Sequence, residues 1–118
     1  MTKKLIDTSL ILASLKKAVE SKGAEYVYPK PGGACVYVSN GAPSCLVGHV
    51  VADLFPDKLE EVAQWDRDNE GDTDFHSLQD AFQFPITPEA HLLLTTVQAD
   101  QDMGVPWGAA VETAEGLL

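Results

Sequence analysis

The stretch APSCLVGHVVADLF, residues 42–55, has the apolar density of a buried helix and also carries three reactive side chains. Pro43 or Ser44 suits the start of such a helix. Val47, Val50, Val51 and Leu54, flanked by Leu46 and Phe55, form a wide apolar face. The opposite side carries Cys45, His49 and Asp53 at a spacing of four, which aligns them along one side of the helix.

Two functional interpretations and one structural interpretation of Cys45, His49 and Asp53 remain open. A thiolate at Cys45 would be favoured by the positive end of the helix dipole, with His49 as base and Asp53 orienting it. Alternatively, the same three side chains could bind zinc with Cys35 as fourth ligand. The structural interpretation, which we favour, is that Cys45 and Gly48 let a neighbouring element pack closely on the helix.

The segment before this helix predicts one helix and one hairpin. Residues 8–22 place apolar side chains on one face, with Asp7 or Thr8 as cap and Gly23 as the residue that ends the helix. Residues 26–28 and 35–38 are rich in strand-forming residues, with the turn-forming sequence PKPGG between them. We therefore expect these two strands to pair as a hairpin.

Three further helices are predicted after the central stretch. One follows Asp57, which would act as its cap with Glu60 in the capping-box position. Residues 66–80 carry six acids and look like an exposed loop with an ordered turn around Phe75. A helix capped by Thr87 should run to about Met103, with an apolar stripe along Leu92, Thr96, Ala99 and Met103. The last helix should start at Pro106 and bury Trp107, Ala110, Val111, Ala114 and Leu118.

These elements predict an α+β protein of mostly helical character. We expect a single domain over residues 1–118, with about five helices and a small two-stranded antiparallel hairpin. Two strands are marginal on their own, so the hairpin should pack on the helices.

The acidic segment imitates part of a calcium loop. Asp66, Asp68, Glu70, Asp72 and Asp74 occupy ligand positions, but Ser77 stands where a bidentate glutamate is needed, so a solvated loop is favoured. Four aromatic residues near this loop indicate an apolar patch at which two copies of the chain could form a homodimer: Trp65, Phe75, Phe82 and Phe84. The residues predicted to contact a partner are Trp65, Asp66, Asp68, Asp72, Phe75, Gln98, Gln101 and Asp102.

Composition narrows the classes of function. The chain of 118 residues carries a formal net charge of −10, which disfavours direct binding to nucleic acid and favours basic protein partners. The apolar run near the start is interrupted by Asp7, Lys16 and Lys17, unlike a signal peptide or membrane span, so we expect a cytoplasmic protein. The catalytic motifs GxSxG and HExxH and a glycine-rich phosphate-binding loop are missing from the sequence, so we expect neither an enzyme nor a cofactor.

Two separated motifs carry a resemblance to a family. They are ACVYVSNGAPSCLVGHVVADL, residues 34–54, and VQADQDMGVPWGAAVETA, residues 97–114, with the pattern Gln-x-x-Gln-Asp-x-Gly-x-x-Trp-Gly-x-Ala. Over roughly residues 8–115 the chain resembles small proteins of unassigned activity encoded by actinobacterial phages, mycobacteriophages especially, and by related prophages. Residues 66–85 match least. The resemblance implies action in the host cytoplasm. In the second motif, we expect Gln98, Gln101 and Asp102 to bind the turn before Trp107.

Overall fold

A computed structural model describes residues 5–28, 37–39, 42–69 and 75–117, and within these ranges the chain is mostly helical. Two strands of two residues each, β1 (Val38–Ser39) and β2 (Ala42–Pro43), precede the central helix. The described residues form six α-helices, against about five predicted: α1 (Thr8–Lys22), α2 (Leu46–Leu54), α3 (Leu59–Asp68), α4 (Phe75–Phe82), α5 (Pro88–Asp102) and α6 (Trp107–Glu115).

The two long helices begin where their capping residues predict. The side chain of Asp7 accepts a hydrogen bond from the Leu10 amide at 3.2 Å, and α1 ends at Gly23, whose φ is 99°. Thr87 accepts a hydrogen bond from the Ala90 amide at 3.2 Å, directly before Pro88 opens α5. In each case a side-chain oxygen satisfies an amide that has no partner within the first helical turn.

The strands differ from the predicted hairpin. β1 pairs with β2 in antiparallel orientation, with Val38 opposite Pro43. Residues 26–28 form no strand; instead the Tyr26 carbonyl accepts a hydrogen bond from the Trp107 amide at 2.8 Å. The predicted pairing of 26–28 with 35–38 is therefore wrong, because residues 26–28 contact the start of α6 instead of forming a strand. Residues 35 and 36 lie outside the described residues.

The region between α2 and α5 is more helical than its charge suggested. A short 3₁₀ turn, Pro56–Lys58, leads into α3, and Lys58 rather than Asp57 stands at the cap position without a side-chain hydrogen bond. α3 continues through Asp68, and α4 occupies residues 75–82. The prediction of an exposed loop over 66–80 is therefore wrong for residues 66–68, which belong to α3, and the ordered turn expected around Phe75 is a helix, α4. Asp66 and Phe75 are both buried.

The buried face of α5 is rotated from the predicted stripe. Leu92 and Met103 are 61% and 81% exposed, whereas Gln98 and Gln101 are buried. This helix has apolar residues on more than one side, so apolar periodicity did not determine which side packs. The face that packs comprises Ala90, Leu93, Leu94, Val97, Gln98 and Gln101.

Buried apolar residues of all six helices join one core cluster in the described part of the chain. Trp107 is fully buried in it, and its ring meets the edges of Tyr26 and His49, with centroids 4.8 and 5.4 Å away. The prediction that α6 buries Trp107, Ala110, Val111 and Ala114 is confirmed, while Leu118 lies outside the described residues. None of the described helices combines the length and apolarity needed to cross a membrane.

Candidate functional site

Cys45, His49 and Asp53 lie along one side of α2 but face three different surroundings. Cys45 has no exposed surface and is the N-cap residue, one position before the predicted first turn; its Sγ accepts a hydrogen bond from the Gly48 amide at 3.4 Å. His49 is half-buried against Trp107. Asp53 is near the surface and pairs with Lys17 at 3.4 Å. The three residues of the predicted triad therefore lie in three different chemical environments.

The described residues give no support to the interpretation of Cys45, His49 and Asp53 as metal ligands. Among them, no three His, Cys, Asp or Glu side chains are grouped so that they could hold a metal ion. Cys35, the predicted fourth ligand, lies outside the described residues, so its participation stays a prediction.

Close packing at Gly48 supports the structural interpretation of the central stretch. A Cβ atom built on Gly48 would overlap the carbonyl oxygen of Tyr37, which itself accepts a hydrogen bond from the Ser44 amide at 2.9 Å. The backbone before β1 therefore lies directly on α2. A residue with no Cβ is required at this contact.

Four polar side chains make hydrogen bonds around this contact, and we call Tyr37, Asp66, Gln98 and Gln101 the β1 polar cluster. Asp66 Oδ2 accepts a hydrogen bond from the Tyr37 amide at 2.7 Å, and Gln98 Nε2 donates to the Tyr37 hydroxyl at 2.9 Å. Gln101 Oε1 accepts from the Leu46 amide at 2.8 Å and so completes the start of α2. The cluster thus ties α3 and α5 to the chain around β1.

These contacts correct two predictions. Gln98 and Gln101 bind Tyr37 and Leu46 across the core instead of the turn before Trp107, and Asp102 accepts a hydrogen bond from Gln101 at 3.1 Å. Asp66, predicted as a first calcium ligand or a partner contact, points its carboxylate at the amide of Tyr37. Burial raises the pKa of Asp66, with the Tyr37 and Val38 amides opposing that shift.

The aromatic patch predicted for partner binding is largely internal. Phe75 and Phe84 are 2% and 5% exposed, and Phe84 packs on Phe55 with ring centroids 4.8 Å apart. Trp65 and Phe82 are half-buried and meet edge to face at 6.0 Å. Asp68 is exposed and accepts a hydrogen bond from Gln64, while Asp72 lies outside the described residues. The prediction of an exposed aromatic patch that includes Phe75 and Phe84 is therefore wrong.

A pocket between α1 and α2 contains polar atoms that lack partners. This α1–α2 pocket has a volume of about 240 Å³ and is lined by Ser14, Lys17, Ala18, His49, Ala52 and Asp53. Ser14 Oγ and His49 Nε2 are both buried without a hydrogen-bond partner. Burial, and secondarily the charge of Lys22, lowers the pKa of His49, so the ring is neutral at pH 7.

Sequence reasoning included His49 and Asp53 but missed Ser14 and Lys17, because those two residues come from α1. One signal was present in the sequence. Ser14 lies between Ile11, Leu15 and Ala18 on the apolar face of α1, and a polar residue on that face needs an explanation.

A second concave surface lies between α1 and α6. This α1–α6 groove, about 720 Å³ in volume, has a floor of small and apolar residues and a rim of charged ones: Lys16, Val19, Glu20, Ala24, Gly108, Ala109, Val111, Glu112 and Glu115. Gly108 allows the close contact at its floor, because a Cβ there would lie 2.7 Å from the Ala24 Cβ. The Gly108 amide also donates to the Ala24 carbonyl at 2.8 Å.

Comparison of the chain with protein-family models, with curated proteins and with solved structures gives no match.

Proposed function

We propose that the protein is a non-catalytic binding protein that holds a basic segment of another protein in the α1–α6 groove. The observation that carries this proposal is the composition of the groove, an apolar floor with three glutamates and one lysine on its rim. Such a surface suits a segment in which lysine or arginine side chains accompany a few apolar ones.

The glutamates of the rim remain accessible to an incoming cation. Glu115 binds Lys16 at 3.0 Å, but these side chains are 46% and 54% exposed. An exposed ion pair of this kind contributes little stability, so a lysine or arginine from a partner can displace Lys16 at small cost. Glu20 and Glu112 add two further carboxylates to the rim.

The floor of the groove is suited to recognition because it is already packed. Ala24 and Gly108 are joined by a backbone hydrogen bond, and Val19 and the almost fully buried Val111 line the space between the charged edges. A binding surface that needs little rearrangement loses less free energy on association.

The wider setting of the proposal comes from the resemblance to phage proteins. We propose that the chain is a phage accessory protein working in the host bacterial cytoplasm, where a basic host factor is its partner. The formal net charge of −10 supports electrostatic attraction to such a factor. Homodimerisation is retained as a prediction, without the aromatic patch first assigned to it.

The test is binding of a fluorescent peptide that alternates lysines with leucines, measured by anisotropy across a salt series. We expect binding to weaken as salt increases, because exposed charges are screened over about 10 Å at 0.1 M. Glu112→Lys should abolish most of the binding at low salt.

Glu60→Lys on α3 is the matched control, since it makes the same charge change at an exposed position outside the groove. It should retain nearly all of the binding. Equal losses in both variants would show that the peptide responds to net charge, and the groove would then be rejected. Captured host proteins that are retained by the wild type and lost by Glu112→Lys would identify the natural partner.

A further inference from the structure

The α1–α2 pocket differs from an ordinary packing defect because two of its buried polar atoms have no partner. Ser14 is 2% exposed, and its Oγ makes no hydrogen bond. Nε2 of His49, on the facing helix, is likewise buried and unpartnered. Leaving a buried polar group without a partner is costly, so two such groups at one pocket point to a bound molecule that satisfies them.

The hydroxyl of Ser14 could have been satisfied within its own helix. Serine and threonine in helices often donate to the carbonyl four residues earlier. Thr95 and Thr96 in α5 do so, with distances of 2.9 and 2.8 Å to the carbonyls of His91 and Leu92. Ser14 makes no such bond, and its hydroxyl therefore remains available as a donor at the pocket.

His49 offers a second donor. Its ring is held by an edge-to-face contact with Trp107, whose centroid is 5.4 Å away. A neutral imidazole carries one N–H group, and either nitrogen can bear it. Nothing in the described structure bonds to Nε2, so that atom can carry the hydrogen and donate it to a ligand.

The outer part of the pocket supplies an exposed cation. Lys17 Nζ lies 3.4 Å from Asp53 Oδ1, and the lysine side chain is 67% exposed. Such a pair is weak, and the ammonium group can turn from Asp53 toward a ligand. Lys22, further along α1, adds positive charge that His49 experiences.

We propose that the α1–α2 pocket binds a small oxyanion, the carboxylate or phosphate group of a small molecule, through Ser14 Oγ–H, His49 Nε2–H and Lys17 Nζ. All three groups can donate hydrogen bonds, which is the requirement of an oxyanion. The pocket volume of about 240 Å³ exceeds the ~150 Å³ of a cavity that admits benzene, so a group of this size fits. The site is separate from the α1–α6 groove and does not depend on the proposed function.

The electrostatic setting also favours an anion over a metal cation. Asp53 is already paired with Lys17, and His49 with Asp53 supplies just two metal-ligating side chains at this pocket. A cation would also be repelled by Lys17 and Lys22. An anion, in contrast, would compete with Asp53 for Lys17 and would stabilise the protonated form of His49.

The test follows the side-chain nitrogen and carbon resonances of His49 by NMR while sodium acetate or sodium phosphate is added at constant ionic strength. We expect a saturable change at His49 and an increase of its pKa when the anion is bound. The exposed imidazole of His76 is the internal control, and it should show no saturable change. Saturation with acetate alone assigns a carboxylate ligand, and saturation with phosphate assigns a phosphate.

Ser14→Ala should weaken binding about tenfold, because one hydrogen bond to a charged group is lost. Ser21→Ala, the same change at an exposed position of α1, should leave the affinity unchanged. Lys17→Met should weaken binding without altering the core. A change at His49 that only parallels that of His76, or equal affinities of Ser14→Ala and Ser21→Ala, would show that the pocket holds water and would overturn the proposal.

Discussion

The β1 polar cluster and the α1–α2 pocket both bury polar side chains beside α2, yet they differ in whether those side chains hydrogen-bond to the rest of the chain. Each side chain of the cluster makes at least one hydrogen bond, although Asp66 Oδ1 is itself buried without a partner. In the cluster, Asp66 and Gln101 bind backbone amides at 2.7 and 2.8 Å. In the pocket, Ser14 Oγ and His49 Nε2 bind nothing in the described structure. The same class of residue thus fixes the position of the chain in one region and remains available to a ligand in the other.

The difference has an energetic meaning. A satisfied hydrogen bond adds only about 1 kcal/mol to stability, but an unsatisfied buried donor or acceptor costs ~1–3 kcal/mol. Removing a hydrogen-bonding side chain of the β1 polar cluster should therefore lower the free energy of unfolding. Removal of a pocket residue should instead leave stability unchanged or increase it, which is the behaviour of a site kept for binding.

The largest effect should come from Gly48→Ala, which tests the backbone contact on which the β1 polar cluster is built. The new methyl group would overlap the Tyr37 carbonyl oxygen, and the overlapping atom belongs to the backbone. We expect a loss of about 3 kcal/mol in the free energy of unfolding, measured by urea denaturation.

Gly116→Ala is the control for this change. A Cβ there would approach the Thr113 carbonyl at 3.3 Å near the exposed end of α6. It should alter the free energy of unfolding by less than about 0.5 kcal/mol. If Gly48→Ala were equally mild, the close approach of the chain before β1 to α2 would be refuted.

The second effect concerns the pH dependence of the β1 polar cluster. Because burial raises the pKa of Asp66 above its ordinary value of 3.8, the folded state holds this proton more tightly than the unfolded state. The contribution of Asp66 to stability is therefore present at low pH and is lost as pH rises from about 4 through the raised pKa. Each pH unit between the two pKa values corresponds to about 1.4 kcal/mol.

Asp66→Asn should remove this dependence, since the amide oxygen can still accept from Tyr37 but does not ionise. Urea denaturation across pH 4–7 should show the variant gaining on the wild type as pH rises. Asp68→Asn, an exposed position on the same helix, should show no such gain. A gain of the wild type over Asp66→Asn with rising pH would mean that the carboxylate stabilises the fold at neutral pH.

The contrast between the two regions also explains what sequence could predict. Helix ends fixed by local chemistry, such as Asp7 before α1 and Thr87 before α5, were predicted correctly. The packed side of α5 was not, because its polar residues Gln98 and Gln101 find partners 61 and 55 positions away. A polar residue whose partner is distant in sequence looks like surface until the chain folds.

The candidate site shows the same division. Spacing within one helix placed His49 and Asp53 on one side of α2, as observed. Ser14 and Lys17 join them only because α1 packs against α2, and no local pattern encodes which two helices meet. α4 was predicted only as an ordered turn around Phe75, because the acidic residues before it suggested a solvated loop. It is a helix that buries Phe75 and Leu78.

The smallest change in the free energy of unfolding is expected for Ser14→Ala. This variant also separates the α1–α2 pocket from the β1 polar cluster most clearly. Removing a buried hydroxyl without a partner should raise the free energy of unfolding by about 1 kcal/mol in ligand-free buffer. Ser21→Ala shares the gain in helix propensity, at most about 0.5 kcal/mol, but not the relief of burial. The difference between these two variants in urea denaturation therefore isolates the cost of keeping the Ser14 hydroxyl unpaired. A loss of stability on Ser14→Ala would mean that this hydroxyl has a structural partner such as a bound water, and the pocket would then resemble the β1 polar cluster instead of a ligand site.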